Sequence, residues 1–178
     1  MKTLITLLLS LTALLGCVTP NYQAAQNSAF TQANYSAVDT LIASPALALD
    51  KDSPLLVATL VNIDAMNQSS RLGRLVSEQI ATRLSQQGYS VVEMKLRNNV
   101  YIREGAGELL LSRDVRDLSK SHHAQAVVVG NYAVAATYVF LTLKIVSVLD
   151  NRVLAATNYL LPLTENNKAL LASPSREG

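Results

Sequence analysis

The sequence predicts a single small α/β (α+β) domain built on one mixed sheet with helices and a C-terminal antiparallel hairpin. Three observations carry this. Short apolar runs of strand length alternate with stretches of helical period through the first two thirds of the chain. The last third holds two long strand-like segments around Asp150-Asn151, with no helix between them. The length of 178 residues, 49% of them apolar and 16% charged, suits one core and excludes a chain too polar to fold.

The elements follow in order. Around Asn34 to Ser44, Tyr35, Val38, Leu41 and Ile42 fall at helical spacing, and Pro45 stops the helix. Asp50-Lys51-Asp52-Ser53-Pro54 is a loop, and Leu55 to Val61 is the nearly unbroken apolar run of a strand covered on both faces. Ser69 or Ser70 caps a helix running to Gln87, whose stripe is Leu72, Leu75, Val76, Ile80 and Leu84. Gly88 stands where a left-handed C-terminal cap is wanted. Tyr89 to Leu96 returns as a strand, Arg97-Asn98-Asn99 turns, and Val100 to Arg103 forms a short edge strand before Gly105-Ala106-Gly107.

Ser112 caps a third helix ending near His123, with Asp114 in the first turn, where negative charge suits the helix dipole. Ala126 to Val129 is a short buried strand ending at Gly130. Val134 to Leu149 and Val153 to Leu161 make the hairpin, Pro162 ends the sheet, and the polar tail carries a weak helical patch near Lys168 to Ala172. In the first arm Val139, Leu141, Leu143 and Ile145 share one face, and Tyr138, Phe140, Thr142 and Lys144 the other. A covering helix makes Tyr138 and Phe140 core, the commoner case; an open face makes them a protein–protein contact.

The first residues carry a separate message. After Lys2 an apolar run from Leu4 to Leu15 is too short for the ~20 residues of a membrane span and has the length of a signal-peptide core. It ends in Leu14-Leu15-Gly16-Cys17, which resembles a bacterial lipobox, where the Cys thiol receives a diacylglycerol. Residues 1–16 are therefore expected to be a lipoprotein signal peptide and 17–31 a flexible tether lipidated at Cys17. Residues 32–163 are the expected domain and 164–178 a polar C-terminal tail. One acyl chain binds a bilayer only marginally, whereas the palmitate-bearing, three-chain terminus of a mature lipoprotein anchors it. Val18 stands where an Asp would, by resemblance to the sorting rule of enteric bacteria, retain the protein at the inner membrane. Its presence favours the outer membrane, with the domain facing the periplasm.

Chemistry is sparse. Gly105-Ala106-Gly107 lacks the continuation of a phosphate loop, and Glu104 and Glu108 would repel an anion. His122 and His123 diverge on a helix and find no third His or second Cys, so no metal set is expected. Asp114 and Asp117 sit among Arg113, Arg116 and Lys120 as a charge-paired helix face. No Gly-x-Ser-x-Gly elbow occurs, and an enzyme is not expected. The formal charge of +2, with acids interleaved among the central Arg and Lys residues, gives no stripe for nucleic acid. No cofactor is expected beyond the covalent lipid.

From Leu55 to about Leu161 the chain resembles the FlgO family of flagellar outer-membrane lipoproteins. The resemblance rests on Leu56-Val57-Ala58-Thr59-Leu60-Val61-Asn62, on Ser69-Ser70-Arg71-Leu72-Gly73-Arg74, and on Glu78 to Leu84 followed by Gly88-Tyr89-Ser90-Val91-Val92-Glu93. Gly107-Glu108-Leu109-Leu110-Leu111-Ser112-Arg113 and Val129-Gly130-Asn131-Tyr132 complete it. It implies a structural or assembly role in the flagellum that supports motility, without catalytic residues. Its partners would be the outer-membrane bilayer and other flagellar or envelope proteins. The alternative is a periplasm-facing lipoprotein module of another envelope assembly, in secretion, polysaccharide export or cell-wall synthesis.

Glu108 and Arg113 bracket a turn and are expected to form a structural ion pair across it. Arg113→Glu should then lower the thermal midpoint, by about 0.2–1 kcal/mol for an exposed pair, and adding Glu108→Arg should recover part of the loss. A double variant no more stable than the single one removes the pair.

Overall fold

The computed structural model describes residues 28–44, 48–66, 68–94, 101–102, 110–111 and 113–172, with backbone alone at 101–102, 110–111, 113–114 and 116. Helix α1 (Ala29–Ile42) opens at Ser28, whose hydroxyl accepts the Thr31 N–H at 3.3 Å. It thus begins ahead of Asn34, within the polar stretch read as tether, because a serine cap outweighs the weak apolar content of its first turn. Helix α2 (Arg71–Gln86) is capped as expected: Ser70 Oγ accepts the Gly73 N–H at 3.1 Å, and Gly88 takes φ +85° just past the end.

Where one strand was expected from Leu55 to Val61 there are two, β1 (Leu55–Ala58) and β2 (Val61–Asn62). The chain leaves the ladder at Leu60 because α2 and the residue leading into it take both backbone polar groups of that residue. The Leu60 N–H donates to Ser77 Oγ at 2.8 Å, and the Leu60 carbonyl accepts from Ser69 Oγ at 2.6 Å. After α2 come β3 (Val91–Met94), then β4 (Tyr101–Ile102) and β5 (Leu110–Leu111), which pair antiparallel apart from the main sheet. Helix α3 (Arg113–Ser121) precedes the long strands β6 (Ala126–Val134), β7 (Tyr138–Ser147) and β8 (Val153–Pro162). Thr164 caps a final helix α4 (Glu165–Leu171) on the expected helical patch.

The main sheet runs β3-β1-β6-β7-β8, with β2 also alongside β6. Strands β3, β1 and β6 are parallel, as crossovers through α2 and α3 require, and β6, β7 and β8 are antiparallel. The mixed sheet with a terminal hairpin is the expected fold. Gly130 is not the end of a strand: β6 runs straight through it, and Val134 belongs to β6 rather than to the hairpin arm. A Cβ at residue 130 would sit 2.8 Å from both the Thr142 carbonyl oxygen and Leu143 Cδ2, so the glycine is required by close packing across the pair.

One face of the sheet is sealed by α1 and α2 over Leu55, Val57, Val128, Leu141, Leu143 and Ile145. On the other face Val115 of α3 packs with Leu56, Val127, Val129 and Val146. The approach of α2 is unusually tight, since a Cβ on Gly73 would meet the Leu60 oxygen at 2.6 Å. Gly73→Ala must push α2 off the backbone beneath it and should cost about 1–3 kcal/mol, read as a lower urea midpoint with an unchanged slope.

Candidate interaction surface

Beyond α3 the second face is bare among the described residues. Register places Ala133, Phe140 and Leu160 in one row across β6, β7 and β8, and Asn131, Thr142 and Asn158 in the next. Tyr138, opposite Pro162, closes the patch at the sheet's end. Phe140 is 51% exposed, Leu160 47% and Tyr138 45%, whereas their neighbours Val139, Leu141 and Leu161 are buried on the helix side. Alternation thus assigned the faces correctly, and among the described residues Tyr138 and Phe140 stand exposed without a covering helix. A shallow depression of about 300 Å³ lies between β7 and β8, walled by Phe140, Thr142, Asn158 and Leu160. Leu160 was missed from the sequence because Leu160-Leu161 is apolar on both faces and gives no alternation to read.

At the other end of the described chain stands α1, capped by Ser28. Buried Asn34 donates its Nδ2–H to Gln79 Oε1 at 2.6 Å and accepts from the Tyr159 hydroxyl at 2.7 Å. Burial pushes the Tyr159 phenol well above its ordinary pKa, so it stays a neutral donor. Asp39 accepts from Arg83 Nε at 2.9 Å and Nη2 at 2.7 Å, and from Gln87 Nε2 at 2.9 Å. The Arg83 guanidinium also lies 5.4 Å from the centre of the Tyr35 ring. These bonds pin α1 to α2 and β8; no short-range pattern announced them, since the partners are far apart in sequence.

Cys17 and Glu108 lie outside the described residues, as does the Arg113 side chain at the start of α3, and with them the expected lipid site and ion pair. His123 takes φ +52° at the end of α3, where its N–H bonds the Lys120 carbonyl at 3.1 Å. Among the described residues no three His, Cys, Asp or Glu side chains gather in a way that could hold a metal ion.

A mixed sheet with clamped helices on one face defines a small α+β domain, and among the described residues its other face carries an exposed apolar surface. Its likeness in solved structures is to the LpoB C-terminal domain from Salmonella enterica, with TM-score 0.53 and 10% identity over 75% of this chain and 98% of that one. The LpoB C-terminal domain from Escherichia coli gives TM-score 0.50 and 8% identity, with the same coverage. No curated protein matches the sequence. The family model described as FlgO protein matches residues 35–166, and the chain belongs to the FlgO family.

The α1 clamp carries a pH signature. Hydrogen bonds from Arg83 hold the Asp39 carboxyl below its ordinary value of 3.8, against the opposing effect of burial, with the Arg83 charge and Gln87 assisting. A depressed folded-state pKa contributes stability that is complete above the unfolded value and lost as pH falls through the folded one. Asp39→Asn should therefore lower stability at neutral pH and flatten its decline between about pH 5 and pH 3, measured as the urea midpoint against pH.

Proposed function

We propose that the protein is a lipoprotein of the bacterial cell envelope, held in the outer membrane by lipid on Cys17 with its domain facing the periplasm. There it has a structural, non-enzymatic role in flagellar assembly and so supports motility. The observation that carries this reading is the FlgO family match across residues 35–166, which takes in α1 from Tyr35 onward and every strand of the main sheet. The apolar run ending at Gly16-Cys17 supports the anchor. No helix among the described residues is long and apolar enough to cross a membrane, and the reading assigns attachment to the lipid. The open sheet face supplies a surface for engaging its surroundings, and neither a cofactor nor nucleic acid enters the role.

A second reading makes the protein a module of another envelope assembly, in secretion, polysaccharide export or cell-wall synthesis. It is favoured by the sharing of the fold with the LpoB C-terminal domain at 10% identity, since a fold so tolerant of sequence is not tied to one machine. Deletion of the gene distinguishes the two. Loss of swimming in soft agar, restored by the wild-type gene but not by Cys17→Ser, is the expected result. Normal swimming with intact filaments and a weakened envelope would transfer the protein to the second reading.

A further inference from the structure

Strand direction determines which end of the domain meets the anchor. Strands β1, β6 and β8 point the same way, and α2, as the crossover between parallel β1 and β3, runs back against them. The contacts Asn34–Gln79 and Asp39–Arg83 lay α1 alongside α2 in the same direction. Ser28, where the chain leaves for Cys17, therefore sits at the end of the sheet formed by the C-termini of β1, β2, β6 and β8 and the start of β7. Tyr159, bonded to Asn34, and Pro162 beyond it fix the same end independently.

The exposed large apolar side chains Ile63, Val134, Tyr138, Phe140 and Leu160 all lie at or near that end; Leu149 and Val153 lie at the other. Ile63 continues the row of Ala133, Phe140 and Leu160, its N–H bonded to the Tyr132 carbonyl at 2.9 Å. The first turn of α2, also at this end, holds Arg71 and Arg74 and no acid, against the preference of a helix N-terminus for negative charge. Arg71, bonded to the Ala169 and Ala172 carbonyls, and Arg74, bonded to the Ser69 carbonyl, stand on the helix-covered side of the sheet. This end thus joins basic side chains on one side to the apolar patch on the other, a combination suited to lipid headgroups.

We propose that this end of the domain docks on the phospholipid bilayer in which the protein is anchored, with Phe140, Tyr138 and Leu160 entering the interface. The inference rests on acylation at Cys17, because the chain then holds this end of the domain close to the bilayer. The chain from Cys17 to Ser28 reaches at most about 40 Å however it is arranged, about the width of the folded domain itself. The apolar patch thus never leaves the neighbourhood of the membrane. Interfacial side chains need to sink only ~5–10 Å to bury such a patch. The docking gives Tyr138 and Phe140 a lipid partner in place of the covering helix or second protein that the sequence left as alternatives.

The chain contains no Trp, so a single introduced indole reports its own surroundings. Full-length acylated Phe140→Trp protein, and separately Leu160→Trp, is reconstituted in phosphatidylethanolamine–phosphatidylglycerol vesicles with brominated acyl chains. Both indoles should shift to the blue and be quenched roughly twofold or more, while Leu149→Trp, at the far end, is not. Quenching at residues 140 and 160 no greater than at 149 overturns the docking. A blue shift without quenching does the same and assigns the patch to a second copy of the chain. Metabolic labelling with palmitate separates the premises: labelled protein with unquenched indoles defeats only the docking, whereas unlabelled protein defeats the anchor and the docking together.

Discussion

The backbone N–H and carbonyl of Leu60 are the point at which sheet and helices are fastened. An ordinary strand would hand its N–H and carbonyl to a neighbouring strand; here both go to serines of the α2 segment, Ser77 and Ser69. Left unpaired in this buried position, each group would cost about 1–3 kcal/mol. The exchange brings α2 so near that residue 73 has no room for a Cβ, and it lets the Tyr132 hydroxyl accept the Ser70 N–H at 3.1 Å. With the start of α2 fixed over the ends of β1 and β6, the Gln79 and Arg83 contacts fix α1, and the position of Ser28 follows. The placement of Ser28 is thus tied to one break in one strand.

Much of the fold could be read in advance because its signals are local. Ser70 and Gly88 bracket α2 by cap chemistry, and the alternation from Tyr138 to Ile145 sorts β7 onto two faces without knowledge of its partners. What escaped depends on distant partners. Nothing in Leu55 to Val61 marks Leu60 as bound to a helix, since the serines that bind it come later in the chain. Gly130 has the look of a strand end, yet its reason for being glycine is the backbone of Thr142 on the next strand. The α1 clamp joins Asn34 to Gln79 and Tyr159, residue types that in sequence look like ordinary surface polarity. For the surface itself, alternation named Tyr138 and Phe140 but could not say whether a helix lay over them.

Topology answers that question. Parallel strands need crossovers, and each crossover delivers a helix to a face; antiparallel strands joined by short turns deliver none. Here α1 and α2 both go to one face and seal it, and among the described residues α3 is the helix that packs on the other. A helix is about 10 Å across and strands are spaced about 4.8 Å, so one helix roofs roughly two strands. α3 covers β1 and the first part of β6 with the adjoining end of β7, which leaves the rest of β7 and β8 without a roof among the described residues. Water is a poor neighbour for the Phe140 and Leu160 side chains that stand there, and an apolar patch on a bare sheet is normally matched by something outside the chain. The hairpin that extends the sheet is therefore also the reason the protein has a face to offer, and α1, clamped to its edge strand, orients that face with respect to the point where the chain departs.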